Sequence, residues 1–259
     1  MEKMETLSNE AQFADTPLYF NSFAYENLGM LKTQTVLKVD SYALICVPYQ
    51  FSMKRGILAG AFSKEEIEYF QKYRNSLAGL ALAFQKPDAA EPMKIFCRCQ
   101  ITGIAPMKGR EGVGLIVCDW KPIPPDLADL LAGHFRLLEQ LKLEYRDLAD
   151  KTVPITPVSA KRLGFNNYAI LKTSTTQQKL AVFSLAANRM DFLLSPQSPD
   201  FHAGDKLSIT LFFQRYRFAL PGMIDKVERL PTGVQRCRAS LGFSPELMQL
   251  LEEYFKAKG

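Results

Sequence analysis

Two segments from opposite halves of the chain share one rhythm: LAGLALAFQ (77–85) and KLSITLFFQ (206–214), each ending Phe-Gln. Short apolar and alternating runs of the same kind recur in MKIFCRCQITGI (93–104), GVGLIVCDW (112–120), YRFALPGMIDKVE (216–228) and VQRCRASLGF (234–243). Such runs, bounded by turn formers, read as strands. The breaks KPDAAEP and APMKGREG are too short to hold a crossover helix, so the strands they join run antiparallel. Each half then closes the same way, with three strands, proline and helix. The plan predicts a mainly β chain with peripheral helices, built as two tandem small antiparallel β-barrels joined by a helical connector.

The remaining segments fill in that plan. Residues 1–16 are polar and acidic and read as a loosely attached extension. A first barrel is expected over 17–125, with further strands in VLKVDSYALICVPY (36–49). It also holds a helix from Ser63, where Glu66 completes a capping box. Leu127, Leu130, Leu131, Leu137, Leu138, Leu141 and Leu148 recur at helical spacing and predict a connector helix over 126–150. Gly133 is the point where that helix is expected to weaken. The connector either spaces two domains or packs on the first. The second barrel is expected over 151–259, ending in a helix capped by Ser244 with Pro245 at its first position.

At 259 residues and 47% hydrophobic, the chain is long enough for one large domain or two ordinary ones. It has no long apolar run and no signal-peptide pattern at its start, so a cytoplasmic location is expected, and five cysteines fit a reducing compartment. The net charge of +5 is uneven. Residues 1–150 carry 17 Lys and Arg against 19 Asp and Glu, whereas residues 151–259 carry 15 against 8. The basic half either favours an anionic partner or serves solubility alone.

Signals for catalysis are poor. His134 and His202 are the only histidines, and neither adjoins a metal-ligand pattern. Cys97 and Cys99 point to one face of a strand without a second Cys or His pair, which reads as core. No phosphate loop, nucleophile elbow or His-carboxylate pair appears, so neither an enzyme nor a metal site is expected. Trp120 reads as a strand-end aromatic covering the barrel. Two basic pairs remain: Arg215 with Arg217, and Arg236 with Arg238. Residues two apart share a strand face. If their strands pair, four guanidinium groups meet, balanced either by Asp225 and Glu228 or by an anionic ligand.

Three segments of the second half carry a family resemblance: VPITPVSAKRLGF (153–165), LAVFSLAANRMDFLL (180–194) and ASLGFSPELMQLLEEYF (239–255). They resemble the PilZ domain, a small barrel that binds cyclic di-GMP in bacteria. GVGLIVCDWKPIPPDLADLL in the first half is similar to the end of a PilZ-like N-terminal barrel, and the whole chain resembles the two-domain PilZ proteins of spirochaetes. That family grips its dinucleotide with an Arg-x-x-x-Arg segment and an Asp-x-Ser-x-x-Gly turn. This chain contains no Arg-x-x-x-Arg. Gln177 and Ala181 align with the two arginines, Val182 with the aspartate and Ala187 with the glycine, and Ser184 alone survives.

A charge-assisted hydrogen bond contributes roughly 1.5–3 kcal/mol, so losing two arginines lowers affinity by about four orders of magnitude. The resemblance therefore implies a non-enzymatic regulator of bacterial cyclic di-GMP and motility signalling. It would act through an unidentified protein partner, with no cofactor and with cyclic di-GMP as at most a weak ligand. One alternative is a true receptor that compensates with Lys179, Arg189, Arg215, Arg217, Arg236 and Arg238 beside Ser184. A second is nucleic-acid binding by the basic barrel, which predicts steep salt dependence.

Overall fold

The computed structural model describes residues 9–87, 89–148, 151–173, 176–214 and 216–257. They divide into two units, Met1–Leu137 and Leu138–Gly259, each with its own sheet and core.

The first unit begins with α1 (Asn9–Gln12), β1 (Leu18–Tyr19), α2 (Ser22–Leu28), β2 (Val36–Val39), β3 (Tyr42–Ile45) and β4 (Val47–Phe51). β5 (Arg55–Ala61), α3 (Lys64–Phe70), β6 (Leu77–Phe84), β7 (Met93–Pro106), β8 (Val113–Trp120) and the start of α4 (Pro125–Asp147) follow. Its eight strands lie in the order β1-β4-β5-β8-β7-β6-β2-β3. The second unit holds β9 (Val153–Pro154), α5 (Pro157–Leu163), β10 (Phe165–Lys172), β11 (Gln177–Leu185) and β12 (Arg189–Leu194). It ends with β13 (Lys206–Phe213), β14 (Arg217–Arg229), β15 (Gln235–Leu241) and α6 (Pro245–Lys256). Its order is β10-β13-β14-β15-β12-β11-β9, and an added β10–β11 pairing closes six of these strands into a barrel. Every strand pairing in both units is antiparallel, as the short linkers require.

Register shows that the two sheets are one design. β2 pairs β3 as β10 pairs the first half of β11; β4 pairs β5 and β1 as the second half of β11 pairs β12 and β9. Only Cys46 separates β3 from β4. It is buried, and its amide donates to the Thr35 carbonyl. The strand is thus interrupted at Cys46 where the second unit keeps one unbroken strand. Irregularities coincide as well: Pro48/Gln50 matches Val182/Ser184, and Ile101/Gly103 matches Ile224/Lys226.

The shared Phe-Gln ending has a physical cause. Gly29 and Gly164 cap α2 and α5 in the left-handed region, at φ 65° and 66°. The Gln85 amide donates to the Gly29 carbonyl and the Gln214 amide to the Gly164 carbonyl, each at 2.7 Å. At Gly29 the backbone passes so close that a Cβ would lie 2.1 Å from the Gln85 oxygen.

Helix ends follow the caps read from the sequence. Ser63 and Glu66 form the capping box of α3, and Ser244 accepts the Leu247 amide with Pro245 opening α6. α4 runs through Gly133 without a break, correcting the expected weak point. A Cβ there would meet nothing within 4 Å, so this glycine sits on an open side of a helix anchored by buried Leu127, Leu131 and Phe135. Residues 149 and 150 of the expected connector lie outside the described residues, as do residues 1–8 of the expected extension. From Asn9 onward that extension is anchored: Phe13 is buried against Phe135, with ring centroids 5.2 Å apart.

Trp120 covers the end of the first barrel, edge-on to Phe51, and its indole N–H donates to the Ser52 carbonyl at 3.0 Å. Cys97 and Cys99 are core residues, buried like Cys46, Cys118 and Cys237. His134 is buried too, and its Nδ1 lies 2.7 Å from Asn27 Oδ1. Burial lowers its pKa to about 4, so the ring is neutral near pH 7. Among the described residues no helix is long and apolar enough to cross a membrane.

Candidate functional site

The positions singled out by the family resemblance lie on β11 and the turn after it. Alternation decides what each can reach. Leu180, Val182 and Leu185 face the core, as does Ala187 in the turn. Gln177 and Ala181 are exposed on the outer face, opposite Lys172 and Leu193 respectively. Ser184 is half-buried, paired with Pro154 on one side and Asp191 on the other. A carboxylate at position 182 would be directed into apolar packing. The acid standing beside Ser184 is Asp191 instead, one strand across.

Asp191 anchors this face. It lies opposite Arg238 on β15, whose Nε donates to Asp191 Oδ1 at 2.8 Å. The Asp191 side chain is 10% exposed and that of Arg238 43%. The hydrogen bond from Arg238 to Asp191, with the Coulombic attraction of the same carboxylate, raises the arginine pKa above its ordinary value. Arg236 lies opposite Leu193 on one side and Glu228 on the other, with its guanidinium 5.0 Å from the Phe183 ring centroid. Arg189 lies opposite Ser240, and its Nε is buried without a hydrogen-bond partner among the described residues. Asn188 Oδ1, in the turn just before it, is likewise buried and unsatisfied. The face thus presents Ser184, Arg189, Asp191, Arg236 and Arg238 across three strands.

Among the described residues Arg217 is not brought to Arg236 and Arg238. Arg217 pairs with Phe212 on β13 and lies over its ring at 5.3 Å, while Lys226 and Glu228, far along the same strand, stand opposite Arg238 and Arg236. Nine residues of extended chain separate Arg217 from Lys226, about 30 Å. Arg215 lies outside the described residues. The interleaved acids are present as Glu228 opposite Arg236 and Asp225, whose charge acts on Arg238. Lys179 belongs with Arg217 rather than with Ser184. Its Nζ lies 4.0 Å from the Tyr168 ring, which stacks on Phe212 at 5.1 Å. The result is a separate ladder of Lys179, Tyr168, Phe212 and Arg217.

Asp191 was the residue that strand reading missed. Its signal is the alternation of RMDFLL, in which Met190, Phe192 and Leu194 are core and Asp191 must face out. Among the described residues no group of three or more His, Cys, Asp or Glu side chains is placed to hold a metal ion.

Residues 6–140, just over half the chain, match the PilZN3 domain. No curated protein matches the chain in sequence. Among solved structures, the PlzA protein of Borreliella burgdorferi in complex with c-di-GMP is similar over 95% of this chain and 96% of its own, at 14% identity and a TM-score of 0.50. The PilZ domain of Escherichia coli YcgR with c-di-GMP matches at 13% identity and a TM-score of 0.32, covering 41% of this chain and 88% of that one. MrkH of K. pneumonia with c-di-GMP matches at 7% identity and a TM-score of 0.34, covering 88% and 87%. The likeness to PlzA is one of fold, and it spans both barrels.

Proposed function

We propose, from the premise that this chain belongs to the PilZN3 family and has the two-domain PilZ architecture, that it is a non-enzymatic regulator acting through protein contacts. Its setting is bacterial cyclic di-GMP and motility signalling in the cytoplasm, and its nucleotide binding is weak or lost. The observation that carries this reading is the commitment of Arg238 to Asp191. A phosphate that recruited Arg238 would strand a carboxylate only 10% exposed. Uncompensated buried charges cost about 3–5 kcal/mol, and less here because Arg238 is partly solvated. Gln177 and Ala181 offer no charge in exchange, and Val182 and Ala187 face inward.

PlzA is seen with c-di-GMP, which makes that dinucleotide the ligand to try. Calorimetric titration of the full chain with cyclic di-GMP should give no saturable heat at about 100 μM, corresponding to less than ~6 kcal/mol of binding. A dissociation constant below ~1 μM would overturn the reading.

The receptor alternative has one observation in its favour. Arg189, with its buried and unsatisfied Nε, is a cation two residues from the Asp191 that pairs with Ser184, and among the described residues it makes no salt bridge. If tight binding is found and is lost in Arg189→Ala, the receptor reading replaces the first. The nucleic-acid alternative rests on the Lys179–Tyr168–Phe212–Arg217 ladder and requires affinity that falls steeply with salt.

A further inference from the structure

An outward row crosses four strands of the first barrel in register. Phe96 on β7 lies opposite Ala81 on β6, Ala81 opposite Val36 on β2, and Val36 opposite Ile45 on β3. The two ends of the row, Phe96 and Ile45, are each 73% exposed. Leaving a Phe and an Ile side chain in water forgoes about 1.5–3 kcal/mol apiece of burial. Between them the floor is low, because Ala81 is small and the neighbouring Gly79 has open space where a Cβ would stand.

Charge lies at both ends of this trough, one row along the strands in each direction. Lys38, Gly79 and Arg98 form the next row in register, and Lys94 on the other flank lies opposite Ala83. Lys38, Lys94 and Arg98 are exposed. No outward position of these four strands is acidic, although residues 1–150 carry 19 acids against 17 bases. The fold alone does not demand this. The same row of the second barrel reads Lys179, Ile170, Thr210 and Ala219, with a cation at one end and a methyl at the other.

We propose that this face docks an acidic amphipathic helix of a partner protein. Three inter-strand spacings separate Phe96 from Ile45, about 14 Å, and a helix with its side chains is about 10–12 Å across. Such a helix seats its apolar stripe on Ala81 and Val36 between the two projecting side chains. Along its length its carboxylates then meet Lys38 and Arg98 beyond one side of the row and Lys94 beyond the other. The inference deepens the protein-contact reading above by naming the chemistry of the partner.

The test uses the full chain and two fluorescent helical peptides of identical spacing, one of Leu and Glu, the other of Leu and Lys. The Leu/Glu peptide should bind. Phe96→Asp should weaken it at least tenfold without moving the thermal midpoint, and a Lys38→Glu, Arg98→Glu double variant should reverse the preference towards the Leu/Lys peptide. Failure of the Leu/Glu peptide to bind, or binding indifferent to Phe96→Asp, overturns the proposal. So does preferential capture by phosphatidylserine vesicles with the same Phe96 dependence, or self-association abolished by Phe96→Asp in sedimentation. Tight cyclic di-GMP binding would remove the functional reading and leave this result standing, so the two fail separately.

Discussion

The two units share a strand order and differ in what they wear on it. Strand for strand they match in pairing, in two irregularities and in the glycine–glutamine contact that ends α2 and α5. On the outer face, register equates Asp191 with Ile57, Arg238 with Val117 and Arg236 with Leu115. The polar face of the second barrel is therefore, in the first, part of a cleft of about 330 Å³ where Ile57, Leu115 and Val117 sit beside Gln71 and Arg74. Arg189 has a counterpart in Arg55, which faces Asp119 at 3.3 Å; the second barrel has Ser240 in place of that acid. The core residues specify the ring, while the outward residues are free to diverge without disturbing it.

The sharpest way to break the equivalence is at the shared glycines. Gly29→Ala should cost more than about 3 kcal/mol, since the left-handed backbone penalty adds to a Cβ placed 2.1 Å from the Gln85 oxygen. Gly164→Ala meets only the Gln214 side chain at 3.5 Å and should cost about 1 kcal/mol. Denaturant unfolding of both variants measures the difference, and equal costs would contradict the geometry.

Acid should separate the barrels next. The His134 pKa is lowered to about 4 by burial, against 6.5 when unfolded. The unfolded chain therefore binds the proton first as pH falls. The stability tied to the neutral ring is whole above pH 6.5 and is lost progressively towards pH 4, up to about 3 kcal/mol. Relative to wild type, His134→Gln should flatten the pH dependence of unfolding across that window.

Exchanging face residues between the barrels is a smaller perturbation. Asp191→Ile alone leaves Arg238 without its carboxylate and should cost about 1–2 kcal/mol, discounted for the solvation of the arginine. Adding Arg238→Val completes the first-barrel pair and should recover most of that loss. Smallest of all, Lys179→Ala removes the cation over Tyr168 and should cost about 0.5 kcal/mol.

Much of the ring was legible because its signals are local. The Ser63–Glu66 box and the Ser244–Pro245 start state backbone requirements within a few residues, and the Phe-Gln rhyme was legible as a repeat although the glycine contact behind it is distant in sequence. The outer face was harder, since it depends on which strands meet and at what offset. Arg217 and Arg236 look alike as members of two-apart pairs. Only the 13-residue length of β14 and its register separate them. Likewise the irregularity at Val182/Ser184 decides that Val182 faces the core while Ser184 meets Asp191, and no short-range pattern announces it. Anchoring of Phe13 by Phe135 is a contact across more than a hundred residues, beyond any local periodicity.

The most direct measurement is a crystal structure of the full chain soaked with cyclic di-GMP. The account predicts no ligand density against β11, β12 and β15, with Arg238 still bonded to Asp191. A dinucleotide seated beside Ser184, with the guanidinium groups of Arg189 and Arg238 turned onto its phosphates, would contradict it.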